Sequence, residues 1–187
     1  MAGQQITPFE HILLGMICLA PSSGYDLKRI FAVTPMGVYQ PSSGALYPAL
    51  RRLEQKGLVM SQPAAKQAGV AGGSARRRHV HEPTQAGREA HAEWLRAPVD
   101  PATVGRDLGL HLMRFVMMDQ VFAPEEVLSF LRSLAAALGA FTAGLERSAA
   151  ADSGPARHAR LALDHGLAVH RASLRWVEDA ISALAVD

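Results

Sequence analysis

Ser43-Gly44-Ala45-Leu46-Tyr47-Pro48-Ala49-Leu50-Arg51-Arg52-Leu53-Glu54, continuing through Gln55-Lys56 to Gly57-Leu58-Val59, decides how the rest of the chain is read. At about 100° per residue, Leu46, Leu50 and Leu53 fall on one side of a helix that starts at Ser42-Ser43 and stops at Gly57. Gly44, Pro48, Arg51, Arg52 and Gln55 fall on the other side, with Tyr47 at the border. Arginine and glutamine can each make two hydrogen bonds to one base edge, to guanine and adenine respectively. Ser42, Ser43 and Gly44 are small residues at the positive end of the helix, where a phosphate or base edge can approach closely. Pro48 cuts across the pattern, because a proline in the second turn removes a backbone donor. The competing reading of this face is a solvated helix with Arg51 and Arg52 in surface ion pairs.

Working outward, the upstream segment contains two more helices. Thr7 caps the first, Pro8 fits its first turn, and Glu10 completes a capping box ahead of the apolar run Ile12 to Leu19. That run is apolar on more than one face, so more than one face is expected to be buried. Ser22-Ser23-Gly24 reads as a turn and Tyr25 to about Phe31 as a short second helix, with Tyr25 and Lys28 as candidate DNA contacts. Downstream, Leu58–Ser61 reads as a strand, residues 63–75 as a glycine-rich loop, and Arg76–Glu82 as a returning strand. Arg76, Arg77 and Arg78 are consecutive, and three like charges together repel unless a polyanion meets them. Thr84 then caps a fourth helix reaching Arg96. This order of three helices, hairpin and helix is the winged helix-turn-helix arrangement, in which the third helix enters the major groove and the hairpin touches the backbone.

Ala97-Pro98-Val99-Asp100-Pro101 reads as a linker, which divides the chain into a winged domain, 1–97, and a second domain, 98–187. The second reads as all helix. Leu108, Leu112, Phe115 and Val116 point inward from its first helix. Val127, Leu131, Leu134, Leu138, Phe141 and Leu145 then form one heptad seam. Leu163, Leu167, His170, Leu174, Val177, Ile181 and Leu184 form another. The expected fold is therefore mainly α with a small β-hairpin wing, followed by an antiparallel helical hairpin for dimerisation. Spacing leaves open whether the seams pack on each other or on a second subunit.

Composition narrows the function. Residues 1–97 carry 11 Lys/Arg against 6 Asp/Glu, and residues 98–187 carry 8 against 11. A basic front and an acidic back suit a polyanion-binding module joined to something else. Cys18 is the single cysteine, so no intrachain disulfide can form and a reducing cytoplasm is the natural setting. No apolar run reaches the roughly 18 residues of a membrane span, and no signal-peptide pattern opens the chain. No nucleophile elbow, phosphate-binding glycine loop or convincing carboxylate pair points to an enzyme, and no cofactor is implied. Two alternatives use the same residues: a metal site built from His79, His81 and a third ligand such as His91, and a winged helix that binds proteins rather than DNA.

The segments Gly24-Tyr25-Asp26-Leu27, Ser43 to Glu54, Gly57-Leu58-Val59 and Thr84-Gln85-Ala86-Gly87-Arg88-Glu89 resemble the PadR family of transcription regulators over about residues 9–96. The in-helix Pro48 belongs to that likeness. More loosely, Gly166-Leu167 and Leu174-Arg175-Trp176-Val177-Glu178 resemble the helical C-terminal domain of longer members. The resemblance implies a homodimer, often a repressor, that binds double-stranded operator DNA. It implies C-terminal helices (Leu163, Leu167, Leu174, Val177, Ile181, Leu184) exchanged against the partner's first helix (Leu13, Ile17). It also implies a site for a small aromatic or hydrophobic effector, which Trp94 would line. One departure stands out: His81-Glu82-Pro83-Thr84 occupies positions where the family has Tyr, any residue, Leu and Thr, so the base of the wing is expected to pack differently.

Overall fold

The computed structural model describes residues 5–33, 43–63, 79–119, 121–151 and 156–185. Ser42 and Arg76, Arg77 and Arg78 lie outside the described residues. The chain divides into two compact units, Met1–Leu95 and Arg96–Asp187.

In the first unit, α1 (Pro8–Leu19) opens as its cap residues require: Thr7 Oγ1 accepts from Glu10 N at 3.3 Å, and Glu10 Oε2 accepts from Thr7 N at 3.1 Å. The helices α2 (Gly24–Val33) and α3 (Ser43–Gln55) follow, and α3 runs unbroken through Pro48. Ile12, Leu13, Leu14 and Ile17 of α1, Leu27 and Phe31 of α2, and Leu46, Ala49 and Leu53 of α3 are all fully buried and form the core. Arg52, Glu54 and Gln55 bring α3 to its end, and Gly57 closes it at φ 69°, where a residue with a Cβ would be strained. Leu58 N donates to Leu53 O at 3.0 Å and Gly57 N to Glu54 O at 2.9 Å, the paired bonds of a Schellman stop.

The sheet has one strand more than the sequence pattern suggested. Ser22-Ser23 is not a free turn but a two-residue strand, β1, antiparallel to β3 (His79–Pro83), which also pairs with β2 (Val59–Pro63), giving the order β1-β3-β2. Backbone pairing with a strand almost sixty residues away leaves no periodicity in a serine pair. The sheet is then locked to α4 (Gln85–Arg96). Thr84 Oγ1 donates to Gly57 O at 2.7 Å and caps α4 by accepting from Gly87 N at 3.0 Å. Gly87 permits this closeness, because a Cβ there would lie 2.0 Å from Leu58 O.

The second unit holds α5 (Pro101–Met118), α6 (Pro124–Ala151) and α7 (Arg157–Leu184), with α6 packed against both of the others. The two heptad seams therefore pack on each other within one chain. Val127, Leu131, Leu134 and Leu138 are buried on α6, as are Leu167 and Val177 on α7, and the Phe141 and His170 rings meet at 4.8 Å. The inner face of α5 differs from expectation. Val116 is exposed and Leu108, Leu112 and Phe115 are only half-buried, while Val104, His111, Met113, Arg114, Met117 and Met118 are buried. Asp107 leaves the helical region (φ −129°, ψ 37°), which shifts the face that follows. Pro124–Ala150 is also apolar and long enough to cross a membrane by length and composition, with a mean hydropathy of 1.5. Part of that apolar surface packs against α5 and α7.

Candidate nucleic-acid interface

Three local devices fix the surface that α2 and α3 present. Ser23 and Asp26 cap the start of α2 reciprocally: Ser23 Oγ donates to Asp26 Oδ2 at 2.5 Å, and Asp26 N donates to Ser23 Oγ at 3.2 Å. The Tyr47 ring of α3 lies directly over Gly24, so close that a Cβ there would sit 2.7 Å from the ring. The buried leucine face of α3 then turns the opposite face outward. Gly44, Tyr47, Pro48, Arg51, Arg52 and Gln55 are all exposed, as are Tyr25 and Lys28 on α2. Ser43 begins α3, and its side chain is not among those described.

The exposed cations of α3 are not equivalent. Among the described residues, no ion-pair partner faces Arg51. Arg52 Nε donates to Glu10 Oε1 at 2.5 Å, and Lys56 Nζ donates to Glu10 Oε2 at 2.7 Å. Burial would raise the Glu10 pKa, but the bonds from Lys56, Arg52 and Thr7 outweigh it and hold the carboxyl below its usual range. Sequence reading had assigned Glu10 to the cap alone. The only sequence signal for its second role is a carboxylate directly ahead of a run that must be buried.

At the wing, β2 exposes Met60, Ser61 and Gln62, and Ser61 Oγ lies 3.1 Å from His79 Nδ1. The departure at the wing base has a clear packing consequence. His81 and Pro83 are buried, and His81 Nδ1 sits 3.2 Å from Glu54 Oε1 at the end of α3. Burial holds the His81 imidazole below its ordinary pKa despite that carboxylate. Among the described residues, no three of His, Cys, Asp and Glu gather where they could hold a metal ion.

The remaining candidates fall into the cores. Leu13 and Ile17 are fully buried in the single chain, and Leu167 and Val177 nearly so. Leu163, Leu174, Ile181 and Leu184 are half-buried. Trp94, also half-buried, stacks on His11 with ring centroids 4.8 Å apart and planes 5° apart. Its neighbour His91 is 2% exposed, with neither ring nitrogen hydrogen-bonded, and burial pushes its pKa down to about 4. Burial raises the half-buried Cys18 thiol to about 11, which keeps it protonated at neutral pH.

A model of the transcriptional regulator PadR-like family matches residues 13–93, and a model described as virulence activator alpha C-term matches residues 112–185. No curated protein matches the chain. Among solved structures, Bacillus subtilis PadR in complex with operator DNA is 18% identical, with 94% of this chain and 98% of that chain covered at a TM-score of 0.43. Bacillus subtilis PadR in complex with p-coumaric acid is 17% identical, with 96% and 99% covered at 0.42. The Vibrio cholerae virulence activator AphA is 20% identical, with 95% and 98% covered at 0.37. The first family match runs from α1 into α4, across the helix-turn-helix and both described strands of the wing, so residues 13–93 of this chain are similar to the PadR-like family of transcriptional regulators.

Proposed function

We propose that this chain is a homodimeric, sequence-specific DNA-binding regulator that inserts α3 into the major groove of an operator. The observation that carries the reading is the outer face of α3: Tyr47, Pro48, Arg51 and Gln55 stand exposed on a helix whose other face is fully buried. Gly44 at its start and Tyr25 and Lys28 on α2 stand exposed beside that face, and they, with Ser42 and Ser43, are assigned to the phosphates nearby. Arg76, Arg77 and Arg78 are assigned to the backbone contacts of the wing. The protein acts by binding rather than by catalysis, in the cytoplasm, as a repressor released by a small aromatic or hydrophobic effector.

The pairing surface is assigned to α7. Its seam residues Leu163, Leu174, Ile181 and Leu184 keep part of their surface in solvent, and Leu161, Val169 and Trp176 are exposed at 58%, 44% and 41%. The test is selection of bound sequences from random duplex DNA. The expected result is a pair of inverted half-sites about one helical turn, or a multiple of it, apart. Retention of duplexes without any common sequence would overturn the reading, and the protein-binding alternative would replace it.

A further inference from the structure

Glu10 is 0% exposed, yet its carboxylate receives three donors: Thr7 N at 3.1 Å, Arg52 Nε at 2.5 Å and Lys56 Nζ at 2.7 Å. A capping box needs only the first of these. The other two come from the far end of α3, and they reach across 42 and 46 residues of sequence. Lys56 is drawn in further by a bond to Gln5 O at 3.1 Å, and its side chain is only 10% exposed. Arg52 is tethered at Nε while 45% of its side chain remains in solvent. Three cations, Arg51, Arg52 and Lys56, thus stand at one end of α3, and a single buried carboxylate engages two of them.

We propose that Glu10 is a positioning residue for the recognition helix and its built-in countercharge. It ties α3 to α1 and withholds Arg52 and Lys56 from the phosphate backbone, leaving Arg51 as the cation that end of α3 presents. The inference rests on α3 being the recognition helix. Its physical basis is that every cation released to phosphate strengthens binding to any sequence and steepens salt dependence by about 0.9 per contact. Spending two of the three on a buried carboxylate lowers sequence-independent affinity and leaves base contacts to discriminate.

The test uses the full chain, a selected duplex and a scrambled duplex of equal length, with affinity measured across a potassium chloride series. Arg52→Gln and Lys56→Gln are each expected to leave the salt slope unchanged. A slope smaller by about 0.9 in either variant would show a phosphate contact and overturn the proposal. Glu10→Gln is expected to bind the scrambled duplex about tenfold tighter with a slope steeper by about one to two units. Removing both cations as well should return the slope to its starting value. A purely structural Glu10 would instead weaken both duplexes with no gain in slope, and that outcome also overturns the proposal. Hydrogen exchange at Arg52 Nε, followed by NMR without DNA, separates this idea from the reading beneath it. Protection lost in Glu10→Gln supports the clamp, and fast exchange in the parent protein refutes it. The recognition-helix reading fails separately, if Arg51→Ala leaves the selected-to-scrambled ratio unchanged.

Discussion

The two units bury charge by different means. In the first, the fully buried Glu10 is neutralised by two full cations from another helix. In the second, the Arg114 side chain, 4% exposed, donates Nη2 to the Ala97 carbonyl and lies 4.9 Å from the centroid of the Phe130 ring. Burial lowers the Arg114 pKa to about 10, so it stays charged at neutral pH. The Ala97 carbonyl and the Phe130 ring are among the partners of the delocalised Arg114 guanidinium, while the compact Glu10 carboxylate takes two cations. The first arrangement couples a core charge to the outward face of α3, and the second ties α5 to the Ala97 carbonyl ahead of it. Damage to Glu10 should therefore reach the outward face of α3, while damage to Arg114 should be felt in the second unit.

Each unit carries one tryptophan, Trp94 and Trp176, so urea unfolding followed in Trp176→Phe and Trp94→Phe backgrounds reports the units separately. Glu10→Ala should have the largest effect, lowering the stability of the first unit by about 3–5 kcal/mol, because it removes the buried carboxylate that holds Arg52 and Lys56 to α1 and closes its capping box. A loss below about 1 kcal/mol would mean that the clamp contributes little to holding α3 on α1. The same measurement on Arg114→Met should move the second unit by less than Glu10→Ala moves the first, since an apolar replacement leaves no buried charge behind. A larger loss there would erase the contrast between the units.

Acid sharpens the comparison next. His91 is neutral when folded, with a pKa of about 4 against an ordinary 6.5. Its contribution to stability is therefore complete above about pH 6.5 and is lost as the pH falls toward 4, because the unfolded chain binds the proton first. The expected loss for the first unit is about 2 kcal/mol by pH 5. His81 in the first unit and His111 in the second are also lowered, mainly by burial, and act with the same sign. His91→Phe should remove most of the slope in the first unit. A slope that persisted unchanged would place the acid sensitivity elsewhere.

The sequence was most legible where residue chemistry acts locally. Thr7, Pro8 and Glu10 announced α1, Gly57 announced the stop of α3, and the leucine face of α3 predicted which of its residues are buried. Long-range partnerships left no such marks. Ser22-Ser23 became a strand only because β3 lies beside it, and Glu10 had already been explained by its cap before its pairing with Arg52 and Lys56 was visible. The seams in the second unit were readable as seams, but their partner was not, since heptad spacing is the same within and between chains. The inner face of α5 was misread because Asp107 resets the helical phase and because a buried His111 and Arg114 do not announce themselves as core.

The central claim is that Arg51 reads a base while the wing holds the backbone, and sequence selection with Arg51→Ala and Arg77→Ala tests it most directly. Arg51→Ala should cost about 1–3 kcal/mol on the selected duplex and relax preference at one base pair in each half-site. Arg77→Ala should weaken all duplexes about equally and lower the salt slope by about one unit. If the two variants instead gave the same sequence-independent loss, α3 would be gripping phosphates, and its assignment as the reading helix would be wrong.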